Sequence, residues 1–207
     1  MFSDIYVINC SDRYIEIAIK MKYSFLACIK ILGEFSIEKK NLRFMKKLII
    51  ETDSINELKD VLRRIDYKNN LITVHPLSIT VARWCVHDSR IDTILMTIKN
   101  IEIFDKKQLK MMRNYGKPVE VSMKDLLTDD SKLRGMLYRR LNLLVKYDVA
   151  LTIGTGANDS YEIFHPLTII MILNTMYDMP IKRAMLALTD NPRQLLYRKQ
   201  GGNLGSI

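Results

Sequence analysis

Seven short runs of β-branched and aliphatic residues punctuate the chain, and between most of them apolar positions recur at helical spacing. The runs cover residues 5–9, 25–29, 47–51, 71–74, 93–96, 119–122 and 151–153. A helix is expected over 13–21, and Ser54 with Glu57 three positions on forms a capping box that opens another. Ile55, Leu58, Val61, Leu62 and Ile65 give that second helix a buried face. A helix containing Trp84 separates the fourth and fifth strands, and a long helix over about 132–146 carries Leu133, Leu137, Leu141 and Leu144 on one side. Strands and helices alternating in this way imply a parallel sheet with right-handed crossovers.

The last quarter, residues 151–196, has the order of a β/α unit that closes an α/β barrel. Its strand stops at Gly154 and Gly156, residues able to take positive φ. Residues 167–176 are apolar at nearly every position, so this helix is expected to be covered on several sides. Pro180 opens a helix that buries Ile181, Ala184, Met185 and Leu188, and Asn191 with Pro192 starts a closing helix. The chain of 207 residues is shorter than the roughly 250 of a full barrel. The expected fold class is therefore α/β: one domain over 1–207, a compact irregular TIM-like (β/α) barrel with some helices short or missing. An open doubly wound sheet is the alternative, since periodicity does not show closure.

Composition narrows the class. A hydrophobic share of 48% with 8 Gly and 5 Pro excludes a disordered or fibrous chain. No apolar run approaches the roughly 20 residues of a membrane span, and no signal segment is legible, so a cytoplasmic protein without a membrane partner is expected. Cys10, Cys28 and Cys85 are odd in number and form no C-x-x-C pair, and are expected to be reduced and buried. A net charge of +9 implies an anionic partner, either nucleic acid or a membrane surface.

Metal-dependent barrel hydrolases need several His, Asp or Glu ligands at the C-terminal ends of their strands. Here there are only 3 histidines. His75 and Glu51 end adjacent strands and are expected as neighbours on the upper rim, but the first strand has no His-x-His pair. His87 falls near a helix end and His165 beside Pro166. His75 thus reads as a capping or hydrogen-bonding residue. Glu120, alternating with Val119 and Val121, is expected to face inward, as a structural hydrogen-bond acceptor in preference to a general base. No Ser-His-Asp or Cys-His arrangement is legible, and Gly154-Thr155-Gly156 lacks the lysine of a P-loop, leaving a tight strand exit or an anion nest. No catalytic residue, metal ligand or bound cofactor is assigned.

The basic residues form a longer set. Lys132, Arg139 and Lys146 are seven apart on one helix, drift by only about 20° per step, and make one positive line opposite the leucines. That line suits a phosphate backbone or a solvated face. Arg83, Arg90, Lys99 and Lys124 lie near strand ends, where a basic rim is expected, and Lys182, Arg193 and Arg198 make the last two helices basic. Such contacts bind phosphate mainly through counterion release, and no aromatic RNA-binding signature accompanies them.

These segments carry a resemblance. The run 151–196, with Gly156-Ala157, Tyr161-Glu162, Pro166, Ala187-Leu188 and Asn191-Pro192, resembles the archaeal ribonuclease P protein component 3 family, the p30-type subunits. VHPLSITVARWCVHDSRIDTI, residues 74–94, and FSDIYVI with Asp4 are similar to the same family. The chain departs from the pattern around Pro166, where Phe164, His165, Leu167 and Thr168 replace the usual arginine and aspartate. The resemblance implies an accessory subunit of the ribonucleoprotein endonuclease that removes the 5′ leader of precursor tRNA. The catalytic centre would be RNA, with Mg2+ bound by that RNA. The implied partners are ribonuclease P RNA, precursor tRNA, ribonuclease P protein component 2 and the other protein subunits. The rival reading is a stand-alone metal-dependent barrel hydrolase acting on a phosphoester.

Overall fold

The computed structural model describes residues 2–32 and 42–199. Seven strands, β1 (Phe2–Cys10), β2 (Tyr23–Ile31), β3 (Arg43–Thr52), β4 (Asn70–Pro76), β5 (Thr93–Leu95), β6 (Val119–Ser122) and β7 (Leu151–Gly154), lie in sequence order. Every neighbouring pair is parallel. The surrounding helices are α1 (Asp12–Lys20), α2 (Ile55–Arg64), α3 (Ile79–His87), α4 (Lys106–Asn114), α5 (Met123–Leu126), α6 (Ser131–Lys146), α7 (Pro166–Tyr177), α8 (Ile181–Leu188) and α9 (Asp190–Lys199). All seven strands fall where the hydrophobic runs place them, and α5, only one turn long, meets the expectation of shortened helices.

The barrel closes through the segment after β7. Gly156 N donates to Tyr6 O at 2.7 Å, Ile8 N donates to Ala157 O at 2.8 Å, and Val7 forms a parallel bridge with Ala157. The open-sheet alternative is thereby removed. The two turn glycines serve different needs. Gly156 adopts φ of +68°, which favours glycine, whereas a β-carbon at position 154 would lie 2.3 Å from Tyr6 Cβ. Gly154 is needed because two strands approach too closely for a side chain.

Helix starts follow sequence-coded caps. Ser11, Ser54, Ser78, Asp105, Ser122 and Asp130 each accept a backbone N–H from the first turn of the helix they precede. The capping box at Ser54 is only half formed: Ser54 accepts from Glu57 N, while the Glu57 carboxylate turns to Thr52. The main apolar cluster lies between the later strands and their helices, with Leu58, Val81, Leu109, Leu141 and Leu173 facing Val74, Ile94, Val121 and Ile153. Leu195 of α9 instead packs with Ile5, Phe25, Ala27 and Leu71 of β1, β2 and β4, so the last helix seals the strands directly.

Three expectations are corrected. Cys10 and Cys28 are joined in a disulfide, with Cα atoms 5.9 Å apart; one β–α–β unit returns the chain to the adjacent strand and brings them together without a C-x-x-C motif. Cys85 alone is a buried free thiol, pushed up to about 12 by desolvation. Helix α7 is not covered all round. It buries Ile169, Ile170, Leu173 and Tyr177, but leaves Leu167 and Met171 more than half exposed, because it belongs to the outer ring. Helix α8 likewise buries Ala184, Ala187 and Leu188 but not Ile181 and Met185, which are exposed on its outer side.

Candidate nucleic-acid interface

Polar groups inside the barrel are occupied with one another. At the closing seam, the Asp4 carboxylate accepts from Tyr14 Oη at 2.8 Å, from Thr155 N at 3.0 Å and from Tyr6 N at 3.2 Å. Tyr14 Oη also lies 3.2 Å from Thr155 Oγ1, which accepts from Ala157 N. These contacts, with Gly156 N bonded to Tyr6, engage the N–H groups of residues 155–157 that an anion nest would present. The glycine turn is a seam. Burial raises the Asp4 carboxyl above its ordinary value against the opposing pull of those hydrogen bonds.

Glu120 faces inward, as its alternation predicts, and has a partner that the sequence did not disclose. Lys47 Nζ lies 2.8 Å from Glu120 Oε2, both side chains fully buried. Thr93 Oγ1 donates to the same oxygen at 2.7 Å and Thr73 Oγ1 lies 3.2 Å from it. Desolvation lowers the Lys47 ammonium below its ordinary value, opposed by Glu120. This pair is enclosed, so its role is internal, not that of a general base meeting a substrate. Lysine at 47 was missed because 46 and 47 are both lysine; only the strand's pleat makes Lys46 exposed and Lys47 buried.

On the upper rim Glu51 and His75 are register partners, as their strand ends predict. His75 Nδ1 lies 2.6 Å from Glu51 Oε2, and Nε2 lies 2.9 Å from Thr97 Oγ1. Both ring nitrogens therefore have protein partners, in keeping with a hydrogen-bonding role. Among the described residues, no three His, Cys, Asp or Glu side chains are grouped as a ligand set.

The ten candidate basic residues do not converge. Lys132, Arg139 and Lys146 are all exposed along α6, opposite buried Leu137, Leu141 and Leu144, as the seven-residue spacing predicts. None of the three has a carboxylate within salt-bridge distance among the described residues. Lys99 and Lys124 are exposed at the upper end, where Lys124 pairs with Glu162 at 2.9 Å. Arg90 lies at the opposite end, chelated by Asp88 with contacts of 3.0 and 2.6 Å. Arg83 sits within α3 and reaches Asp105 at 3.4 Å. These four do not form one rim, because the α3–β5 turn that carries Arg90 leads into the foot of the barrel, while Lys99 and Lys124 follow strands. Lys182, Arg193 and Arg198 are exposed on α8 and α9, and Arg198 approaches Gly116 O at 3.4 Å. The neighbouring Arg183 is engaged by Asp148 at 2.8 Å.

The described helices include none long and apolar enough to cross a membrane. Comparison with known proteins identifies the barrel. It is similar to a chain in the cryo-EM structure of archaeal ribonuclease P with mature tRNA, at 20% identity and TM-score 0.78, covering 96% of this chain and 91% of that one. It is also similar in fold to the histidinol phosphate phosphatase of Lactococcus lactis, crystallised with zinc, L-histidinol and phosphate, at 10% identity and TM-score 0.52, covering 96% and 93%. A curated relative, ribonuclease P protein component 3 of Methanocaldococcus jannaschii, is 26% identical over 147 residues, 68% of this chain. That match spans 63% of the relative's length. Residues 10–203 match the profile of the RNase P subunit p30 family, nearly the whole chain, and the chain belongs to that family.

Proposed function

We propose that this chain, as a single barrel domain over 1–207, is a protein subunit of ribonuclease P, the ribonucleoprotein endonuclease that removes the 5′ leader of precursor tRNA. The observation that carries the reading is family membership over residues 10–203. The distribution of charge supports it: the interior ions Lys47 and Glu120 pair with each other, while Lys132, Arg139 and Lys146 stand exposed in line on α6. The catalytic centre is RNA, and Mg2+ serves that RNA; this chain neutralises phosphate repulsion and favours the cleavage-competent RNA fold. It works in the cytoplasm, beside the other protein subunits.

Within the particle the chain pairs with ribonuclease P protein component 2. Leu167 and Met171 of α7 and Ile181 and Met185 of α8, exposed on two helices that pack on each other, support a protein contact there. The stand-alone phosphoester hydrolase is the weaker reading, because His75 and Glu51 have no third ligand beside them among the described residues.

Reconstitution of precursor tRNA cleavage from ribonuclease P RNA and its protein subunits tests the proposal. Adding this chain with its partner is expected to raise the cleavage rate at limiting Mg2+. No change on omitting the chain would overturn it.

A further inference from the structure

A basin opens at the foot of the barrel, at the end opposite Glu51 and His75. Its walls come from the α2–β4 connection, the end of α3 and the turn after it, the α4–β6 connection and the C-terminal turn of α9. It encloses about 480 Å³, within the range of small-ligand sites. Chemistry within it comes from Tyr67, Lys68, His87, Tyr115, Lys117 and Arg198.

Three features give the basin a preference. The first is charge. Lys199 is taken up by Asp92 at 2.7 Å, the carboxylate lining the basin, and both are largely buried. Lys68, Lys117 and Arg198 then have no carboxylate within salt-bridge distance among the described residues. The second is rigidity: Lys117 Nζ donates to the carbonyls of Asp88, at 2.9 Å, and Ile91, which fix a nearly buried ammonium in the wall. The third is an open aromatic ring. Tyr115 meets His87 edge to face at 4.3 Å between centroids, yet remains 56% exposed.

A fixed cation, two exposed cations and a braced, exposed ring match the two parts of a nucleotide. The ring offers a stacking platform for a base, and Arg198 with Lys68 offers donors for its phosphate. An acidic peptide would use the cations but leave the ring without a partner. We propose that this basin receives one unpaired nucleotide of RNA, its base over Tyr115 and its phosphate between Lys68 and Arg198. The inference rests on the reading of the chain as an RNA-bound subunit, and adds a second contact on a different part of the surface from the α6 line.

The test is photo-crosslinking of the reconstituted ribonucleoprotein, followed by mass spectrometry of the adducted peptides, beside RNA affinities of variants. Nucleotide adducts are expected on the peptides holding His87 or Tyr115. Tyr115→Ala should weaken RNA binding by about 5- to 30-fold and Tyr115→Phe should restore it, since stacking needs the ring alone. Lys68→Ala with Arg198→Ala should lower the salt slope by about one, as for one phosphate. If these variants bind normally while loss of Lys132, Arg139 and Lys146 weakens binding, the basin is overturned and the RNA-subunit reading stands. Adducts absent from the foot, with Tyr115 protected only when a protein subunit is added, would also overturn it. Failure of the unaltered particle to assemble on RNA would sink both.

Discussion

The interior of the barrel and the outer face of α6 are both rich in ionisable groups, and they use them in opposite ways. Inside, Lys47 meets Glu120, and Asp4 meets Tyr14 and the Thr155 turn, so both buried carboxylates have protein partners that tie strands together, although Glu120 Oε1 itself has none. Outside, Lys132, Arg139 and Lys146 face solvent in a row. A buried ion must be partnered or it destabilises the fold; an exposed one is free to bind something else. The difference separates residues that make the barrel from residues left available to a partner, and substitutions should sort the same way.

The largest expected effect is in the interior. Glu120→Ala leaves Lys47 as an uncompensated buried cation and should destabilise by about 3–5 kcal/mol in denaturant titrations, whereas replacing both partners with Met and Leu should recover most of that loss. If the double replacement were as damaging as the single, the pair would be doing more than closing the core. Reduction of Cys10–Cys28, a bond across 18 residues, should lower stability by about 3 kcal/mol, read as a shift in the denaturation midpoint with reductant. Gly154→Ala pushes a methyl into Tyr6 and should cost about 1–3 kcal/mol, while changes at Gly135, which has open space around it, should cost far less.

The seam also predicts a pH dependence. The folded Asp4 carboxyl sits above its ordinary value of 3.8, so the native state holds a proton that the unfolded chain has already released. This contribution to stability is fully present below the unfolded value and is lost as pH rises through the raised folded value. The stability of the unaltered chain relative to Asp4→Asn should therefore fall as pH rises across that window; a flat difference would contradict it. On the outer face, replacing Lys132, Arg139 and Lys146 together with alanine should move stability by no more than about 0.5 kcal/mol, the smallest effect of the series.

The same contrast decides what was legible in the sequence. The seven strands could be read because β-branched runs are local, and the Glu51–His75 contact because both residues end neighbouring strands. The α6 line could be read because a seven-residue spacing keeps one face of a helix. Helix α4 escaped, since KKQLKMMRN offers only Leu109 and two methionines as an apolar signal. Lys47, the Cys10–Cys28 bond and the partners of Asp4 escaped for a different reason: each depends on which strands become neighbours and on the pleat of each, and those are set by closure. Arg90 and Lys99, nine residues apart, went to opposite ends of the barrel because the short strand β5 lies between them.

The most direct test of the division between interior and surface is the salt dependence of binding to ribonuclease P RNA, measured for the unaltered chain and for the Lys132, Arg139 and Lys146 triple alanine variant. The account predicts an affinity that falls linearly on logarithmic axes as salt rises, with the slope reduced by about two to three in the variant and the fold unchanged. An affinity independent of salt, or the same slope in both proteins, would contradict it.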